Sequence, residues 1–83
     1  MKDALYVGDC PVCHQGRQLV RIELQSGRYF LKCEECESEW ANIEDASDPL
    51  KATIGAFGKS ALAVREEMQD HPWASRIQNM AVI

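Results

Sequence analysis

The chain has 83 residues, with 9 Lys and Arg against 13 Asp and Glu, a formal charge of −4. That is the length of one domain, and a chain so short buries only about 60% of its unfolded surface, so apolar burial alone supports it weakly. At 46% apolar and 27% charged it is neither disordered nor collagen-like; no apolar run nears the ~20 residues of a membrane span, and residues 1–9 lack the apolar core of a signal peptide, so a soluble cytoplasmic protein is expected.

Cys10 and Cys13 form a C-x-x-C pair directly after that N-terminal stretch. Residues 18–24 place Val20, Ile22 and Leu24 at period two, with Arg21 and Glu23 between them, which predicts a half-buried strand. Ser26 and Gly27 mark a turn, which sequence leaves open between two and three residues. Residues 28–32 read as the returning strand and lead into Cys33 and Cys36, a second C-x-x-C pair. Residues 38–42 read as a third strand, with Trp40 over the hairpin.

The character then changes. Asp48 and Pro49 form a helix-start signal, as N-cap and first helical residue. Leu50, Ile54 and Phe57 recur at helical spacing up to Gly58. Ser60 is placed to cap a second helix running to Asp70, with Ala61, Val64 and Met68 on one face, until Pro72 breaks it. Trp73 and Ile77, four residues apart, predict a short terminal helical turn. The expected fold is α+β: a zinc ribbon over residues 1–43, with a three-stranded antiparallel sheet and two cysteine knuckles, and a helical segment over 44–83 packed on it as one domain.

The cysteines carry the chemistry. Nineteen residues separate the two pairs, within the spacing of a four-cysteine zinc site. Two residues between cysteines let one tight turn aim both sulfurs at one ion, and Zn²⁺ accepts four thiolates at about 2.3 Å. Cys10, Cys13, Cys33 and Cys36 are thus the predicted ligands of a structural Zn²⁺. Paired disulfides are disfavoured by the absence of an export signal. A catalytic C-x-x-C redox pair needs a βαβ context that the flanks lack. A rubredoxin-like iron site suits the same donor set; His14 and Glu37 stand where such knuckles carry Gly, which counts against it. A closed four-sulfur site has no open coordination position for water activation, and no nucleophile–base set or phosphate loop is evident, so no enzymatic activity is expected.

Charge is uneven. Residues 34–50 hold seven acids and no base. Such a segment is either a solvated surface or a docking surface for a basic partner, and it repels phosphate. Arg17, Arg21, Arg28 and Lys32, interleaved with Tyr29 and Phe30, give the alternative of a nucleic-acid-associated ribbon, opposed by a sequence pI of about 5.0.

Cys33-Glu34-Glu35-Cys36-Glu37-Ser38-Glu39-Trp40 resembles a run in a group of small bacterial zinc-ribbon proteins that are similar to immunity proteins of polymorphic toxin and contact-dependent growth inhibition systems. The resemblance covers residues 10–41. It implies a non-catalytic cytoplasmic protein that covers the active or substrate-binding surface of a cognate toxin domain, commonly a basic nuclease. Glu34, Glu35, Glu37, Glu39 and Asp45 would then stand in for substrate phosphates, without nucleic acid or membrane as partners.

Overall fold

A computed structural model describes residues 2–82, with side chains described over residues 4–78. Six strands form one antiparallel sheet: β1 (Lys2–Asp9), β2 (Arg17–Glu23), β3 (Tyr29–Cys33), β4 (Glu39–Trp40), β5 (Ser60–Leu62) and β6 (Gln78–Val82). The spatial order is β4-β3-β2-β1-β6, with β5 also on β2. β3 runs along one edge of β2 from Gln18 opposite Cys33 to Ile22 opposite Tyr29. The other edge is shared: β1 pairs at Arg17 and Leu19, and β5 pairs at residues 21–23.

The predicted hairpin and third strand are present, with a four-residue connection. Glu23 and Arg28 close the loop over residues 24–27, where the Glu23 N–H donates to the Arg28 carbonyl at 2.8 Å and the Gly27 N–H to the Glu23 carbonyl at 2.8 Å. Gly27 takes φ +74°, a left-handed conformation open to glycine without steric cost. Leu24 is consequently carried out of the sheet at 62% exposure, so the alternation of Val20 and Ile22 does not extend to it.

One sheet face builds the main core. Leu5, Val20, Leu31 and Trp40 pack with Ile43, Ala46, Ala63 and Met68, and Cys10 and Cys33 join the same cluster. Trp40 is fully buried, and its indole N–H donates to the Asp48 carbonyl at 3.1 Å. On the opposite face Phe30 is fully buried beneath Phe57, the rings stacked at 4.1 Å between centroids.

The helical half departs from expectation. Only one four-residue helix, α1 (Arg65–Met68), forms among the described residues, together with 3-10 turns at Ile43–Asp45, Pro49–Lys51 and Ala74–Arg76. Asp48 does cap the Pro49 turn, accepting from the Leu50 N–H at 2.9 Å. The chain then extends, because Thr53 and Glu39 exchange backbone hydrogen bonds at 2.7 and 2.8 Å. Leu50 and Ile54 stand 91% and 76% exposed, not on a buried helical face. Ser60 opens a strand instead of a helix: Arg21 donates through Nε to its hydroxyl at 2.7 Å and through Nη2 to its carbonyl at 3.0 Å. Among the described residues, no helix is long and apolar enough to cross a membrane.

Candidate metal centre

The two knuckles are built alike. Each begins where a strand ends, at Cys10 after β1 and at Cys33 on β3, and each returns into the next strand. The Cys10 N–H donates to the Gly16 carbonyl and the Cys33 N–H to the Ser38 carbonyl, both at 2.8 Å. The amide two residues on then points at the first sulfur: Val12 N–H to Cys10 Sγ at 3.4 Å, and Glu35 N–H to Cys33 Sγ at 3.3 Å. The residue after the second cysteine is left-handed in both, His14 at φ 59° and Glu37 at φ 65°. Glycine supplies that conformation without strain. The backbone here is therefore the one glycine would adopt, and the presence of His14 and Glu37 does not discriminate against iron as the sequence reading supposed.

Because β2 and β3 are adjacent, the knuckles meet. All four sulfurs lie within 4.8 Å of one another, with Cys10 and Cys36 at 3.6 Å and Cys13 and Cys33 at 3.6 Å. All four cysteines are free. A tetrahedron with metal–sulfur bonds of about 2.3 Å has sulfur–sulfur edges of about 3.8 Å, so the donor set fits a metal ion. Cys10 and Cys33 are buried, Cys13 and Cys36 half-buried. Gly16 carries the close approach of the first knuckle to the second: a Cβ there would stand 2.7 Å from Cys33 Sγ.

The thiols are held unequally. Burial pushes Cys33 up to about 12 and raises Cys10. The Ser38 hydroxyl, 3.2 Å from the Cys36 sulfur, favours its thiolate and brings Cys36 down to about 6. The Gln15 and Gly16 backbone N–H groups lower Cys13. Each knuckle thus pairs one thiol raised by burial with one lowered by hydrogen bonds. Four thiolates at this spacing require a cation among them, and a metal ion bound at all four sulfurs displaces whatever protons they carry.

The acidic residues separate by place. Glu34, Glu35 and Glu37 are exposed on the second knuckle. Glu34 accepts from the Arg17 N–H at 3.1 Å, and Glu37 lies 3.7 Å from Lys32 Nζ. Glu39 leaves this set: it is 2% exposed, its carboxylate accepts from the Ala56 N–H at 3.0 Å and lies 3.9 Å from Lys32 Nζ. Its β4 position turns the side chain inward, where it anchors the loop that covers the sheet edge. Asp45 is half-buried in the Ile43–Asp45 turn, away from the knuckle in sequence. The basic hairpin residues are engaged in the fold: Arg21 on Ser60, and Arg28 over the Phe57 ring at 5.9 Å. The sequence reading missed Gly16 and Ser38. Their signal was positional, a glycine closing the first knuckle and a hydroxyl two residues beyond the last cysteine.

Comparison with protein-family models, with curated proteins and with solved structures gives no match, so the functional reading stands on the residues themselves.

Proposed function

We propose that Cys10, Cys13, Cys33 and Cys36 bind one structural Zn²⁺ and that the chain is a non-catalytic, cytoplasmic protein-binding module, an immunity protein that neutralises a basic toxin domain. Zinc is preferred over ferrous iron because nitrogen and sulfur sites bind it more tightly along the divalent series. Bound zinc would close all four coordination positions and serve the fold, since a four-thiolate site leaves no place for water.

The observation that carries the partner reading is the set of three exposed carboxylates, Glu34, Glu35 and Glu37, on the turn that also bears two of the four sulfurs. A metal-fixed turn presents charge without the entropic cost of ordering a loop on binding. The same charge speeds encounter with a basic surface and disfavours nucleic acid. The nucleic-acid reading also loses one of its two stacking rings, because Phe30 is fully buried.

The test is binding of the zinc-loaded chain to the basic protein encoded by the adjacent reading frame. Glu35→Lys with Glu37→Lys weakens that binding and flattens its salt dependence if the acidic turn is the contact. Unchanged affinity and salt slope reject the acidic-turn mechanism.

A further inference from the structure

Leu50 and Ile54 stand outside the core, the two most exposed large hydrophobics among the described residues. Single exposed apolar side chains are ordinary on a protein surface, but these two share one loop, residues 48–57, that is pinned along its length. The Trp40 indole N–H holds the Asp48 carbonyl at 3.1 Å, and the Asp48 carboxylate accepts from the Leu50 N–H at 2.9 Å. Thr53 exchanges both backbone hydrogen bonds with Glu39, the Ala56 N–H donates to the Glu39 carboxylate at 3.0 Å, and Phe57 stacks on Phe30. The loop therefore holds both side chains in water, where they give the fold no burial energy. It also borders the acidic turn. The bridge between Glu39 and Thr53 is antiparallel, so the chain beyond Thr53 heads back past Ser38 toward the knuckle that exposes Glu34, Glu35 and Glu37, and Ile54 is the first residue on that path. Residues 48–57 contain one base, Lys51.

On the acidic-turn reading, on which this rests, we propose that Leu50 and Ile54 are the apolar anchors of the docking surface that begins at Glu34, Glu35 and Glu37. The surface takes a basic protein segment with apolar side chains set between its Lys and Arg residues. Charge selects this occupant. A second copy about a two-fold axis would bring its own three carboxylates against the same three, and a polyanion is repelled. The two halves of the surface do different work. The carboxylates steer a basic segment and reject others. Burial of side chains already held in place adds affinity without the cost of ordering a loop.

The probes are a short peptide alternating Lys and Leu and an oligolysine of equal charge, each titrated into the full zinc-loaded chain. The Lys–Leu peptide is expected to bind at least about tenfold more tightly than the oligolysine. Leu50→Ser with Ile54→Ser should remove that preference while leaving oligolysine binding and the melting temperature unchanged, because both side chains are exposed. Equal affinity of the parent chain for the two peptides overturns the proposal and leaves the acidic-turn reading standing. A preference that survives the double substitution also overturns it, by placing the apolar contact elsewhere. So does a sedimentation mass above one chain that falls on the double substitution, which assigns the pair to a second copy. Glu35→Lys with Glu37→Lys should weaken both peptides, and unchanged oligolysine binding there rejects the acidic turn itself and the proposal with it.

Discussion

Gly16 and Cys33 belong to opposite knuckles, and a single carbon on Gly16 would sit 2.7 Å from Cys33 Sγ and 2.8 Å from Glu35 Cγ. The sulfur is fixed by two backbone N–H donors, from Glu35 at 3.3 Å and Cys36 at 3.4 Å, so it has little room to yield. Gly16→Ala therefore pushes the knuckles apart. Zinc affinity, measured by competition with a chromophoric chelator, should fall at least about tenfold, or about 1.4 kcal/mol. An affinity equal to the parent's would mean that the knuckles do not depend on this approach.

His14 and Glu37 hold left-handed backbone that their side chains disfavour. Replacing either with glycine relieves that strain and partly offsets it with a more flexible unfolded chain. His14→Gly and Glu37→Gly are each expected to stabilise the zinc-loaded protein by about 0.5–1 kcal/mol, seen as a higher melting temperature. The Glu37 change also removes an exposed contact to Lys32, which contributes little. Melting at or below the parent temperature for both variants would contradict the assigned knuckle conformation.

Glu39 and Glu35 differ by only four positions in sequence but lie in opposite environments. Glu39→Ala leaves the Ala56 N–H without its acceptor and removes the carboxylate beside Lys32, at an expected cost of about 1–3 kcal/mol. Glu35→Ala on the exposed knuckle should change stability by less than about 0.5 kcal/mol. Denaturant titration of both variants checks the contrast, and equal costs would place Glu39 on the surface.

Burial and, after it, the Glu67 carboxylate raise the Tyr29 hydroxyl above the ordinary tyrosine value. The group is raised in the folded state, so its contribution is complete below the ordinary value near about 10 and is lost as pH rises through the higher folded value. Ultraviolet absorbance titration should show a late-ionising tyrosine that Tyr29→Phe removes and Glu67→Gln brings earlier. No change on Glu67→Gln would show that the 3.0 Å Tyr29–Glu67 contact does not form.

Sequence legibility followed how local each determinant is. The knuckles and the β2–β3 hairpin were readable because C-x-x-C spacing and the alternation of Val20 with Ile22 act over a few residues. β1 is not legible as a strand from its own residues, since Leu5, Tyr6 and Val7 follow one another without an apolar–polar alternation. Its identity depends on β2 and β6, seen only once the sheet closes. The predicted helices failed for the converse reason. Ala61, Val64 and Met68 fit a helical period, but Arg21 fixes Ser60 and β2 offers an open edge at residues 21–23, and those long-range bonds outweigh propensity. Asp48 is legible as a cap and caps the Pro49 turn, but that turn ends after Lys51 because Thr53 is drawn to Glu39.

Metal content and folding, measured on one sample, decide whether the four cysteines hold one structural ion. Gently purified protein should return one zinc per chain by elemental analysis, without visible colour, and removal by a strong chelator should abolish its cooperative thermal transition, since structural zinc supplies about 10–16 kcal/mol in comparable small sites. Substituting any one of the four cysteines with serine should have the same effect. A chain that carries no stoichiometric metal and still melts cooperatively would mean that the fold does not depend on an ion at these thiols.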